Sequence, residues 1–348
     1  MRSGKISLFL LFADLRKAFD SVARQFLTQV LLKRCPEALA SILSSLHEKA
    51  KLFFEGTATE TESGVLQGDT LAAIIFVWVM DEVMREWEKR KKRKWGIRVV
   101  FKKGDTLKEF LPHDWHTASA EIFELLLNWL GFADDMLFLS TNLAEILEAF
   151  ELFCEICLSV GLEVNFDKCG LLSMQWNGLS LPKELPVRGK KLPVVQSYQY
   201  LGVLVTTQGT FFEHVEERSR RALGVVLGRV KNVESWIGND SFLLLKQLSG
   251  CFAPCLTWGT EVITLKKEET SSLDVTFFKF LRRVFKVEFD EKNKKWEKTN
   301  KELSDLAEME QPSELLPLAR LRFFFHLFEK ETTYPPECFL NGKMDIEE

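Results

Sequence analysis

WLGFADDMLFLS, residues 129–140, places two acids between two apolar runs. Each run is of strand length, and Ala133-Asp134-Asp135 leaves room only for a tight turn. The stretch therefore reads as a β-hairpin with both carboxylates at its tip. ISLFLLFA at 6–13 is also continuously apolar, as suits a central strand buried on both faces, and it runs into Asp14. Three acids thus stand at the ends of core strands. Carboxylates so placed are costly unless paired, hydrogen-bonded or bound to metal. Clustered acids also repel, and a divalent cation removes that penalty. Oxygen-only ligation with no nearby histidine favours Mg2+ over zinc. Three solvated turn acids are the plain alternative.

Outward from this pair, Val22, Phe26, Val30 and Leu31 recur at helical spacing as far as Arg34, and Pro36 opens a second helix through about Lys49. AKLFFEGTATETES follows as a hairpin turning at Glu55-Gly56, and 95–116 as mixed structure with a turn at Gly104-Asp105. Thr70 is placed to cap a helix, LAAIIFVWVMDEVMREWEKRKK, buried in its first half and solvated in its second. Residues 142–160 form an amphipathic helix closed by Gly161. Short strand regions are expected near 162–174 and 198–206. Helices dominate from Glu213 to about Val287, 288–312 read as a charged linker or exposed helix, and LLPLARLRFFFHLF closes the chain.

The 348 residues predict about two domains, and 46% hydrophobic content excludes wholesale disorder. Seven cysteines without regular spacing read as reduced and intracellular. No apolar run reaches the ~18 residues of a membrane span. MRSGKISLFLLFA imitates a secretion signal but has no small-residue cleavage site behind it. The net charge of −4 hides a basic strip. Residues 88–103 carry nine bases and one acid, so the remainder sums to −12. Such a strip suits a polyanion partner or a solvated helix end, and Lys89–Lys94 also reads as a nuclear signal. The expected location is intracellular, with the nucleus open. Cys154-x-x-Cys157 and His113-x-x-His116 have metal-like spacing but no second pair.

ADLRKAFDSV (13–22), GVLQGDTLAA (64–73), FADD (132–135), GLEVNFDKCG (161–170) and YLG (200–202) occur in order. Together they resemble motifs A to E of the reverse transcriptase of non-LTR, LINE-like retrotransposons. EERSRRALGVVLGRVKNV (216–233) and the segment 251–287 are similar to the helical thumb of those elements, so the resemblance covers roughly 6–290. It implies an α+β right-hand polymerase: a mostly antiparallel palm sheet backed by helices, then a helical thumb. The implied domains are palm with partial fingers over 1–209, thumb over 210–290, and a charged linker with a last helix over 291–348.

The resemblance also assigns roles. Asp14 and Asp134 would bridge two Mg2+ ions, with Asp135 a secondary ligand or turn acid, for phosphoryl transfer from dNTPs to a DNA primer on an RNA template. Phe19 would sit under the sugar and exclude a 2′-hydroxyl. Gln67 and Gly68 would touch the incoming nucleotide and template, glycine permitting close approach. Asn165 and Lys168 match motif D, where the lysine would protonate or steady the pyrophosphate. Tyr200, Leu201 and Gly202 match the primer grip. Arg218, Arg220, Arg221, Arg229 and Lys231 would track an RNA–DNA hybrid.

Departures are visible too. Thr70 and Ala72 stand where the family usually has proline and serine. Only MRSGK precedes the strand that leads into the first motif, so most of the basic fingers region is expected to be missing, and no room is expected for the family's endonuclease. Without those fingers nucleotide affinity should fall steeply. Two expectations follow: a polymerase, active or formerly active, or a retroelement-derived remnant that binds RNA or a protein partner without catalysis.

Overall fold

LFLLFA forms a strand, Leu8–Ala13, whose last five residues are buried. It is flanked on both sides in a computed structural model, which describes residues 7–48, 51–54, 57–60, 63–65, 71–92, 95–102, 122–174, 181–237, 241–329 and 345–347. Antiparallel neighbours are Asp135–Ser140 on one side (Ala13 opposite Met136, Phe9 opposite Ser140) and Gly170–Met174 on the other (Phe12 opposite Gly170). The sheet has six strands in the order Glu184–Val187, Lys190–Val195, Gly170–Met174, Leu8–Ala13, Asp135–Ser140, Trp129–Phe132. All its pairings are antiparallel except Gly170–Met174 with Lys190–Val195. A strand this central has no solvent face, which is why its sequence does not alternate.

The helices Ala72–Arg90 and Leu143–Ser159 supply much of the rest of the core. Ile75, Phe76, Val79, Val83 and Trp87 of the first are buried, as are Ile146, Phe150, Phe153 and Cys157 of the second. The Trp87 indole donates to the Ala149 carbonyl oxygen at 3.0 Å, so the bulky ring enters the core without an unpaired N–H. Asn142 caps the second helix, accepting from Ala144 and Glu145 main-chain N–H groups. The helices Arg24–Arg34 and Glu37–Glu48 complete this side.

Helices Phe212–Ile237, Ser241–Thr257, Lys267–Val284, Asn300–Ala307 and Pro312–Glu329 follow. They have a separate core around Phe252, which stacks on Phe280 at 4.0 Å, with Leu273, Leu281, Val284 and Leu303. The chain accordingly divides into two compact units, Met1–Tyr198 with Lys343–Glu348, and Gln199–Gly342.

Several expectations change in detail. The helix expected to be capped at Thr70 begins at Ala72 with Leu71 as the capping position, and Thr70 lies outside the described residues, as do the turns at Glu55-Gly56 and Gly104-Asp105. Asp134 lies in the hairpin turn, where Ala133 has φ 53°, while Asp135 already begins the returning strand. Residues 288–312 are neither a plain linker nor one helix. They hold a short antiparallel pair, Phe289–Asp290 with Lys295–Trp296, and the Asn300–Ala307 helix, capped reciprocally by Thr299 and Glu302.

Candidate active site

Asp14 follows directly from the central strand, and its side chain is only 19% exposed. What surrounds it comes from 150 residues further on. Leu15–Arg16 pairs with Glu163–Val164, and the chain then turns over Asn165–Cys169 to enter the strand beside Leu8–Ala13. In that turn Asn165 N–H donates to the Asp14 carbonyl oxygen at 2.9 Å and its side-chain amide to Asp14 Oδ2 at 3.3 Å. Lys168 Nζ stands 3.7 Å from the same carboxylate oxygen.

The register carries Asp135 to the same end of the sheet, since Ala13 faces Met136 on the neighbouring strand. Burial raises the Asp135 carboxyl above its usual range. The negative charges of Asp134 and Asp14 add to this, and Lys168 works against it. Three acids and one lysine thus share one electrostatic environment at the strand ends.

Tyr198 is a further member that sequence reasoning missed. Its ring stacks on Phe12 at 4.2 Å and its hydroxyl donates to the Lys168 carbonyl oxygen at 2.8 Å. Burial pushes its phenol up to about 12, with Cys169, Asp14 and Asp135 acting in the same direction. The available signal was its rarity: it is one of three tyrosines, two residues ahead of Tyr200.

Phe19 sits in the helical turn Ala18–Ser21 and stacks on Phe76 at 4.6 Å. The segment 63–65 braces that turn. Val65 N–H donates to the Phe19 carbonyl oxygen at 2.7 Å, Gly64 N–H to that of Val22 at 2.8 Å, and the Ser63 hydroxyl to that of Asp20 at 2.7 Å. Gly64 has φ +85°, and a Cβ there would meet the Phe19 carbonyl oxygen at 2.5 Å. Gln67 and Gly68 lie outside the described residues.

Within the second unit, Tyr200-Leu201-Gly202 ends a strand and turns through left-handed backbone at Leu201 (φ 48°) and Gly202 (φ +82°). Arg218, buried, donates to the Gly202 carbonyl oxygen at 2.6 Å, and the Trp258 indole donates to that of Leu201 at 3.2 Å. His214 accepts from Leu204 N–H through Nδ1 (3.2 Å) and donates through Nε2 to the Trp258 carbonyl oxygen (3.1 Å). Arg218 is therefore occupied inside the unit. Arg220 and Arg221 are exposed, and both pair with Glu217. Arg229 and Lys231 belong to the Phe212–Ile237 helix, but their side chains lie outside the described residues.

Cys154 and Cys157 are buried in the Leu143–Ser159 helix, where burial pushes the first thiol up to about 12 and the second well above its usual range. His113 and His116 lie outside the described residues. In the basic run, Lys89 pairs with Glu86, Arg90 with Glu155 and Lys91 with Glu88.

Among the described residues no group of three or more His, Cys, Asp or Glu side chains is arranged to hold a metal ion. The donor chemistry of Asp14, Asp134 and Asp135 nonetheless suits a hard divalent cation: all donors are oxygen, and their mutual repulsion is what such an ion would relieve.

Comparison with known proteins defines the class. The family model for reverse transcriptase (RNA-dependent DNA polymerase) matches residues 2–205, more than half of the chain, and the protein belongs to that family. It is 26% identical over 159 residues to a transposon-derived protein of Caenorhabditis elegans, a stretch covering 44% of this chain and 55% of that relative. The chain thus spans about half the length of the curated relative it matches. Among solved structures it is similar to apo telomerase of Candida tropicalis (13% identity, 82% of this chain and 43% of that one, TM-score 0.39). It is also similar to Candida albicans telomerase in complex with a fragment of telomeric RNA (12% identity, 94% and 48%, TM-score 0.32).

Proposed function

We propose that the chain is the palm and thumb of an RNA-directed DNA polymerase of the non-LTR, LINE-like retrotransposon type, extending a DNA primer with dNTPs on an RNA template. The observation that carries the reading is the arrangement around Asp14, where the central strand delivers one acid, the neighbouring hairpin delivers two, and the Asn165–Cys169 turn returns a lysine to them. Asp14, Asp134 and Asp135 are the residues that would hold the two Mg2+ ions. When bound, those ions supply acidification of the primer 3′-hydroxyl and neutralisation of the leaving pyrophosphate.

The chain's own residues would do the remainder. Asn165 fixes the Asp14 carboxylate by a hydrogen bond, so the acid is oriented before any ligand arrives. Lys168, 68% exposed at its side chain, can reach a phosphate and give it a proton or a charge. Phe19, held by Phe76 and the 63–65 segment, is the sugar-facing ring that disfavours a 2′-hydroxyl, and Gln67 with Gly68 would meet the nucleotide and template. Tyr200, Leu201 and Gly202 would grip the primer end, with Arg218 acting through Gly202. Arg220, Arg221, Arg229 and Lys231 are the candidates for the hybrid backbone. We place the protein inside the cell, with the nucleus left open by the basic run Lys89–Lys94. No helix among the described residues is long and apolar enough to cross a membrane.

RNA-templated primer extension by the purified chain, run beside Asp134→Ala, tests this. Extension by the parent and none by the variant supports it. Hybrid binding with no extension by either points to a non-catalytic remnant instead.

A further inference from the structure

Lys279, Arg282, Arg283 and Lys286 line one cleft at the C-terminal end of the Lys267–Val284 helix, with Val287, Glu288 and Trp296 completing it around a volume of about 590 Å³. Four cations face one carboxylate. A helix C-terminus presents only about half a negative charge, so compensation of the helix dipole does not account for four. The surplus extends along the chain: residues 279–301 carry nine bases and four acids in a protein whose net charge is −4. Lys279 and Arg283 are exposed and, among the described residues, have no ion pair.

Beside these charges lies an aromatic platform. The Arg282 guanidinium sits 4.6 Å from the centre of the Trp296 ring and 5.9 Å from that of Phe278, and it is anchored by donating to Asn300 Oδ1 at 2.6 Å. Trp296 is still 42% exposed, next to Phe289 at 44%, the two rings edge to face at 5.1 Å. Loose cations alone would suit any polyanion. Cations around an exposed indole with a guanidinium already stacked on it suit a ligand that has both phosphates and flat rings, and a base offers its face only when it is out of a duplex. An acidic peptide has no use for the platform.

We propose that this cleft binds a single-stranded nucleic acid, with Lys279, Arg283 and Lys286 on successive phosphates and the Arg282–Trp296 stack receiving an unpaired base. The proposal rests on the polymerase reading only in that a template strand is then at hand, and it shares no residue with the acid centre.

The test is fluorescence anisotropy of the full chain with labelled 20-nucleotide single strands, one RNA and one DNA, over a series of salt concentrations and without metal or nucleotide. A chain that extends no primer therefore still returns a result here. Lys279→Ala with Arg283→Ala is expected to weaken binding by ~10-fold or more, and to shrink the slope of log affinity against log salt by roughly 1.4 for two lost phosphate contacts. Trp296→Leu is expected to cost roughly 5-fold or more without changing that slope. Circular dichroism melts establish that each variant is folded, and Lys279→Gln with Arg283→Gln replaces the alanine pair if it is not. Unchanged affinity and slope in the charge variants overturns the proposal. So does polyglutamate displacing the strands as readily as unlabelled RNA does. Preference for the RNA or the DNA strand identifies which of the two the cleft takes.

Discussion

Replacing Gly64 by alanine should unseat the turn that carries Phe19. The new Cβ would lie 2.5 Å from the Phe19 carbonyl oxygen and 2.6 Å from the Asp20 carbonyl carbon and Cα. These are main-chain atoms, so no rotamer change relieves the clash. The left-handed backbone at φ +85° adds strain of about 1–2 kcal/mol for a residue with a side chain. If the 63–65 segment withdraws, the Val65–Phe19 and Gly64–Val22 main-chain bonds are lost, each worth ~0.5–1.5 kcal/mol net. The whole cost is therefore ~2–5 kcal/mol. Gly189 is the internal control: it has φ +74°, yet a Cβ there meets nothing within 4 Å. Gly189→Ala should cost only the backbone strain, ~1–2 kcal/mol. Urea unfolding followed by tryptophan fluorescence measures both, read as a shift of midpoint at constant slope. Equal destabilisation by the two substitutions would refute the idea that the 63–65 segment clamps the Phe19 turn.

Tyr198→Phe keeps the stack on Phe12 and removes the bond to Lys168, so it should cost ~0.5–1.5 kcal/mol, while Tyr198→Ala should cost at least ~1 kcal/mol more. Thermal melts decide, and identical losses would show that the ring stack contributes nothing. His214 is held below the ordinary histidine range, chiefly by burial and also by the nearby Arg218 charge, with its bond to the Trp258 carbonyl opposing. Because the folded value is depressed, its stabilising share is complete above about 6.5, the unfolded value, and is lost as pH falls from there toward the folded one. His214→Gln should consequently lose less stability than the parent between pH 7.5 and 5.5, and parallel pH profiles would sink the claim. Phe19→Ala should lower the preference for deoxy- over ribonucleotides by ~10-fold or more in single-nucleotide incorporation; an unchanged ratio would remove Phe19 from the sugar site.

Local pattern made much of this molecule legible, and distance hid the rest. The Leu8–Ala13 strand and the Trp129–Ser140 hairpin are short apolar runs with acids at their ends, and period and length suffice to find them. The Glu184–Val187 and Lys190–Val195 hairpin was missed because Pro186 and Pro193 break any strand pattern. Its signal was the Arg188-Gly189 turn, and an edge strand tolerates Pro186. Thr299-x-x-Glu302 is a readable capping signature, hidden in a stretch whose dense charge reads equally as linker or exposed helix. Asn165 and Lys168 were found by motif, but their contacts with Asp14 span some 150 residues and have no local signature. Arg218 illustrates the same limit from the other side. As sequence it is one base among several in a helix, and only the folded unit shows it buried against Gly202.

The most direct test of the central claim is metal-centred cleavage of the chain itself. Fe2+ placed in the Mg2+ position, with ascorbate and peroxide, generates hydroxyl radicals that cut nearby backbone, and mass spectrometry locates the cuts. The account predicts cuts clustered around Asp14, around Asp134–Asp135 and in the Asn165–Lys168 turn, all suppressed by excess Mg2+ and lost in Asp14→Asn. Cuts elsewhere that ignore Mg2+, or a pattern unchanged in Asp14→Asn, would contradict it.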